Sequence, residues 1–224
     1  MPVALLHGFG SSCRSTWVET GWTALLEDAG RQVHCPDLLG HGDAPKPHEP
    51  EAYGTLGATV LEPLPAGPVD AIGFSLGAQV LLGLAADHPD RFERLVVAGV
   101  GSNLFRRDDP ESLARAIETG SSDDDPDADV PWARYMVDAA RAPGNDPVAL
   151  AACLRRPPVG SERLTDVTCP VLVVLGDRDF AGPPDPLLDA LPDARLVTLP
   201  GVDHFATPKA FGFIDAALGF LDAL

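Results

Sequence analysis

Apolar residues fall along this chain in two rhythms. Short unbroken runs recur at Val3-Ala4-Leu5-Leu6, Leu95-Val96-Val97-Ala98 and Val171-Leu172-Val173-Val174-Leu175, with a mixed one at Val69-Asp70-Ala71-Ile72. Such runs, each closed by glycine or a polar turn, predict strands buried on both faces. Gln32–Cys35 and Arg195–Leu199 read as two further strands. Between the runs, apolar positions recur every three or four residues, the period of a helix with one buried stripe. One helix is expected over 17–29, through Trp22, Leu25 and Leu26, stopped by Gly30 in the left-handed C-cap position. Others are expected near 53–61, over 76–88 up to Pro89, near 184–191, and from about Pro208 with Thr207 as cap.

After Gly99 the alternation breaks. Residues from about Ser102 to Asp166 are rich in charge, proline and alanine. Helix candidates lie near Glu111–Glu118, Trp132–Ala140 and Pro147–Leu154, with the run Asp123-Asp124-Asp125-Pro126-Asp127 as a solvated, mobile loop between them. Strand alternating with helix implies an α/β fold, a parallel sheet covered on both faces by right-handed crossovers. The excursion, about 103–166, then reads as a helical lid over the carboxyl ends of the strands, where open α/β sheets bind ligands. A chain of 224 residues suits one domain over 1–224.

Charge narrows the partners. With 16 basic and 33 acidic residues the net charge is −17, which disfavours nucleic acid and anionic membranes as partners and otherwise reads as a means of solubility. No apolar run approaches the roughly 20 residues of a membrane span. The N-terminus lacks a basic segment followed by a long apolar stretch, so a cytoplasmic location is expected. The four cysteines (Cys13, Cys35, Cys153, Cys169) form no Cys-x-x-Cys pair, so neither a metal site nor a disulfide framework is expected. The six histidines show no His-x-x-x-His spacing for zinc, and no cofactor is implied.

Ser75 stands at the apex of Gly73-Phe74-Ser75-Leu76-Gly77, between a predicted strand and a predicted helix. A serine on so tight a turn is held in a strained conformation, and the flanking glycines leave room for the strand and helix. The hydroxyl is a poor nucleophile until a base takes its proton, and that base needs a partner to fix its tautomer. Downstream, Asp179 follows the strand ending at Leu175, and His204 follows the strand ending at Leu199. The order Ser75, Asp179, His204 is the order of an α/β-hydrolase nucleophile, acid and base.

On these residues the chain resembles the α/β-hydrolase superfamily, in particular its lidded serine-nucleophile members. His7-Gly8-Phe9-Gly10 is similar to the family's oxyanion loop, and Asp37-x-x-Gly40-His41-Gly42 to its Asp-x-x-Gly-His-Gly loop. Gly176-x-x-Asp179-x-x-x-Pro183 is similar to the acid motif, which selects Asp179 over Asp177. The resemblance implies Ser75 as nucleophile, His204 as base and Asp179 as orienting acid, with the Phe9 and Leu76 amides forming the oxyanion hole. Asp177 is then a loop residue accepting hydrogen bonds from nearby amides, and His7 and His41 brace loops. The first strand begins almost at Met1, so about six mostly or wholly parallel strands are expected. They leave an exposed edge that could admit a second copy of the chain. Trp132, Tyr135 and Met136 fit one lid-helix face; they are expected to pack the lid and are candidates to touch an apolar substrate as well. Arg106 and Arg107 are candidates to hold a substrate carboxylate. The favoured activity is hydrolysis of a small ester, thioester or lactone. The alternatives are carbon–carbon bond cleavage by the same triad, or a ligand-binding receptor.

Overall fold

A computed structural model describes residues 1–106, 110–120, 131–156 and 161–223 of the chain. Six strands form its sheet: β1 (Pro2–Leu6), β2 (Gln32–His34), β3 (Val69–Phe74), β4 (Phe92–Ala98), β5 (Val171–Gly176) and β6 (Ala194–Leu199). Their spatial order is β2-β1-β3-β4-β5-β6 and every pairing is parallel. The central strands alternate between two apolar layers, as period-2 geometry requires. Ala4, Leu6, Ala71, Val97 and Val173 face one layer, which is covered by α2 (Leu56–Leu61), α3 (Leu76–Asp87) and α7 (Asp185–Ala190). Val3, Leu5, Ile72, Val96 and Val174 face the other, covered by α1 (Trp22–Asp28) and α8 (Phe211–Phe220). All ten of those strand side chains are fully buried. Edge strand β6 is half solvated, as an outer strand with one covered face should be.

Between β4 and β5 stand α4 (Glu111–Thr119), α5 (Pro131–Ala140) and α6 (Pro147–Leu154), close to the expected positions. Asp146 caps α6: its Oδ1 accepts from the amides of Val148 and Ala149 at 3.0 and 3.2 Å, with Pro147 in the first turn. The acidic run Asp123–Asp127 and Arg107 lie outside the described residues. Among the described residues, no helix is long and apolar enough to cross a membrane.

Three expectations need correction. The helix expected over 17–29 is two elements: a π-helical turn at Arg14–Val18, then α1 from Trp22. Gly21, at φ +88°, breaks the path between them, and Gly30 ends α1 at φ +75° as expected. Thr207 does not cap the last helix. Its hydroxyl donates to the Asp203 carbonyl at 2.9 Å, a short 3₁₀ turn spans Thr207–Lys209, and α8 begins at Phe211. The third concerns the cysteines: Cys13 and Cys35 are joined by a disulfide, with Cα atoms 5.6 Å apart. Their spacing of 22 residues gave no sign of this. Parallel pairing of β1 with β2 makes both chains leave the sheet at the same end, and that brings the two loops together. Cys153 and Cys169 are free and buried.

Candidate active site

The elbow is built by close backbone approach. A Cβ on Gly77 would sit 2.3 Å from the Leu6 carbonyl oxygen, and one on Gly73 would sit 2.7 Å from the Ala78 amide nitrogen. Either side chain would push helix α3 off the sheet. Ser75, caught between them, has φ +52° and ψ −110°, a conformation non-glycine residues rarely adopt. Its own amide donates to the Ala98 carbonyl of β4 at 2.8 Å, which anchors the turn.

The structure brings Ser75, His204 and Asp179 into one relay. Ser75 Oγ lies 3.0 Å from His204 Nε2. His204 Nδ1 lies 2.8 and 3.0 Å from the two Asp179 oxygens. The carboxylate accepts from Nδ1–H, so the tautomer leaves a lone pair on Nε2 facing the serine hydroxyl. Asp179 also accepts from the Ala181 amide at 2.8 Å, which fixes its rotamer. The His204 and Asp179 side chains are 5% and 0% exposed, so water does not compete for the bond between them. Asp177, two residues earlier, is exposed and instead accepts from the Gly201 amide at 2.7 Å.

Phe9, on the loop after β1, lines the same cavity as Ser75, and Leu76 directly follows the serine. Leu76 is the first residue of α3, where amides have no partner within the helix. Among the described residues, neither the Phe9 nor the Leu76 amide donates a hydrogen bond. The loop carrying Phe9 is held from several sides. His7 is fully buried; its Nδ1–H donates to the Gly8 carbonyl at 2.8 Å, and its Nε2 accepts from the Leu38 amide at 3.0 Å. Asp37 accepts from the amides of Cys13 and Asp43 at 2.7 and 2.8 Å. The Cys13–Cys35 bond closes the same junction. His41 faces the edge of the Phe9 ring, 5.6 Å away, and burial pushes its pKa down to about 3. Burial likewise lowers the pKa of His7.

A cavity of about 520 Å³ opens over Ser75 and His204. Part of its wall is apolar, with Phe74, Met136, Ala139, Phe205 and Pro208, and part is made of the hydroxyl-bearing residues Ser11, Ser12, Ser15 and Thr16. Of the residues singled out from the sequence, Phe9, Tyr135 and Met136 line this cavity. Trp132 is not part of its lining; it stacks on Phe180 with ring centroids 5.1 Å apart. Arg106 is exposed, approaches the Ser102 hydroxyl at 3.5 Å, and is not part of the cavity lining. Sequence reasoning missed the hydroxyl wall, although Ser11 and Ser12 directly follow the Phe9 loop. It also missed Asn145, which donates to the carbonyls of Gly10 and Ala139 at 2.9 and 2.8 Å and so ties the Phe9 loop to α5. No local pattern marks Asn145, and Gly10, 135 residues away, is brought to it only by the fold.

The sheet order, the strained serine and the relay behind it define an α/β-hydrolase, and the chain belongs to that family: residues 3–216 match the alpha/beta hydrolase family. Among curated proteins it is similar to a pimeloyl-[acyl-carrier protein] methyl ester esterase of Neisseria meningitidis serogroup C, 32% identical over 235 positions and covering 90% of this chain and 86% of the relative. The corresponding esterase of Aromatoleum aromaticum is 33% identical over 239 positions, covering 90% of each. Among solved structures, Est816, described as an N-acyl homoserine lactone degrading enzyme, superposes with a TM-score of 0.73 at 23% identity, covering 98% of this chain and 93% of that one. That likeness speaks to the fold.

Proposed function

We propose that this chain is a serine hydrolase that cleaves carboxylic esters of small alcohols through an acyl-enzyme on Ser75. The observation that carries the reading is the unbroken relay from Ser75 Oγ through His204 to Asp179 beside the cavity. In this mechanism His204 Nε2 takes the Ser75 proton as Oγ attacks the ester carbonyl. Asp179 holds the imidazole in the required tautomer and offsets the charge it gains. The Phe9 and Leu76 amides receive the oxyanion, each donor contributing roughly 3–4 kcal/mol to the transition state. His204 then gives its proton to the leaving alcohol. Water, deprotonated in turn by His204, attacks the acyl-enzyme and releases the acid and free Ser75.

The excursion α4–α6 is the lid of this site in the same reading, and its residues Tyr135 and Met136 touch substrate. Two relatives that are methyl ester esterases support a small alcohol as leaving group. A cavity of this volume is in the range that holds small-molecule ligands. Methyl esters of medium-length acyl chains are therefore the first substrates to try, beside short p-nitrophenyl esters. Mass spectrometry after fluorophosphonate treatment should find the adduct on Ser75, and Ser75→Ala should lose on the order of 10⁶ in turnover. An adduct on another residue, or retained activity in Ser75→Ala, would sink the reading.

A further inference from the structure

The residues that follow the acid and the base are both phenylalanines: Phe180 after Asp179 and Phe205 after His204. Both rings fold back onto the imidazole. Phe180 lies 4.3 Å from it, centroid to centroid, and Phe205 lies 5.4 Å away, edge-on at 84°. Phe74, just before the serine, closes a third side at 4.9 Å. Phe180 and Phe205 each have a second aromatic partner, and both partners come from α5. Trp132 stacks on Phe180 at 5.1 Å and 24°, and Tyr135 stacks on Phe205 at 3.6 Å and 28°. Trp132 and Tyr135 are three residues apart, on one helix face.

We infer that α5 positions the base: Trp132 and Tyr135 hold the His204 imidazole through Phe180 and Phe205, so that full turnover requires this helix to be docked. This rests on the reading of Ser75 and His204 as nucleophile and base. Hydrogen bonds at both nitrogens fix the imidazole along the relay but resist tilting of the ring out of that line only weakly. Rings packed against it resist that tilt and keep water from the Nδ1–H bond to Asp179. Asp179 and His204 both sit on loops past the ends of β5 and β6, so a brace from outside the sheet has something to do. Trp132 is the informative member because it touches Phe180 and does not line the cavity. Its effect on catalysis therefore does not come from substrate contact.

The experiment compares Trp132→Leu, Trp132→Phe and Tyr135→Leu with the wild type on one p-nitrophenyl ester, together with the rate of fluorophosphonate labelling. Trp132→Leu is expected to lose about tenfold in kcat and in labelling rate, the worth in rate of one aromatic pair, with KM within about twofold. Trp132→Phe, which keeps a ring on Phe180, should recover most of both. In proton NMR the far-downfield His204 Nδ1 proton should be sharp in the wild type and in Trp132→Phe, and broadened by exchange in Trp132→Leu. Tyr135→Leu should broaden the same Nδ1 proton, a readout that loss of substrate contact does not move; Tyr135 is half exposed, so this variant serves if Trp132→Leu does not fold. Unchanged kcat and labelling with a raised KM, or an Nδ1 proton indifferent to Trp132, would overturn the inference while leaving the hydrolase reading standing. A wild type that fails to label on Ser75 would overturn both.

Discussion

Where β3 and β4 run side by side, the sheet buries Ile72, Leu95, Val96 and Val97 completely, each packed on further large side chains. Where α4, α5 and α6 meet, the shared cluster is Ala114, Ala116, Ile117, Val137, Ala140, Leu150 and Ala151. Alanines bury little apolar area, so the helical excursion gains far less from burial than the sheet does. An ionic clamp adds to it. Arg155, at the end of α6, donates to Glu111 at 2.8 Å and to Glu118 at 3.1 Å, both on α4. That guanidinium holds the Glu111 carboxyl below the usual carboxylate range. The contrast teaches a division of labour. The sheet carries stability and holds Ser75, Asp179 and His204 at its ends, while the excursion, built on smaller side chains and an ionic clamp, is expected to open without unfolding the core.

The largest expected effect tests the chemistry at the sheet ends. Asp179→Asn should lower turnover by roughly 10⁴ with the fold intact, because an amide cannot both hold the tautomer and offset the imidazolium. Asp177→Asn, whose carboxylate accepts from the Gly201 amide away from His204, should cost less than about tenfold. Ester kinetics of the pair decide it, and a crippled Asp177→Asn would reverse the assignment. Next, Ile72→Ala in β3 should lower global stability by about 4 kcal/mol in urea unfolding. Ile117→Ala in α4, equally buried, should act locally: faster amide exchange within α4–α6 and a small change in the global midpoint. Equal midpoint shifts for the two would show one cooperative unit and break the comparison.

A third test uses acid. The His41 pKa is about 3 in the folded protein, against 6.5 for the free side chain. Below pH 6.5 the unfolded chain binds a proton that the folded chain refuses, so stability is full above that pH and is lost as pH falls toward 3. The slope for one such proton reaches about 1.4 kcal/mol per pH unit. His41→Asn, which retains a donor near the Leu39 carbonyl, should flatten the acid side of the stability–pH curve by up to that much. An unchanged slope would mean that His41 takes up its proton while folded. The smallest effect is at the clamp: Arg155→Gln should cost about 1 kcal/mol, seen as faster exchange in α4 and α6. The wild-type clamp should weaken toward the variant's behaviour in 1 M salt, where the screening length is about 3 Å. No change on raising salt would show that packing, not charge, holds the excursion.

Much of the architecture could be read from local pattern. Runs such as Val171–Leu175 admit few alternatives to a doubly covered strand, and Gly73-Phe74-Ser75-Leu76-Gly77 carries its own reason for a sharp turn. Features were lost where the deciding partner is remote in sequence. Asp70 sits within an otherwise apolar strand and is fully buried; it is held by Arg31 and Arg94, which lie 39 and 24 residues away. The split at Gly21 escaped because the apolar spacing continues through it. Trp132 is expected from the sequence to pack the lid and is also a candidate to touch substrate, since an aromatic on a helix face looks the same whether it meets a ligand or Phe180.

By itself the sequence determined the alternation of strands and helices, the tight turn at Ser75, and the chain order of the serine, the aspartate and the histidine, because period, glycine sterics and strand ends are local properties. Only the tertiary structure decided that Cys13 bonds Cys35, and that α5 lays its aromatic face on the rings beside the imidazole. Each of these depends on a distance between segments 22 or more residues apart, and such distances are set by the pairing and order of the strands. No residue type or spacing within one segment encodes them.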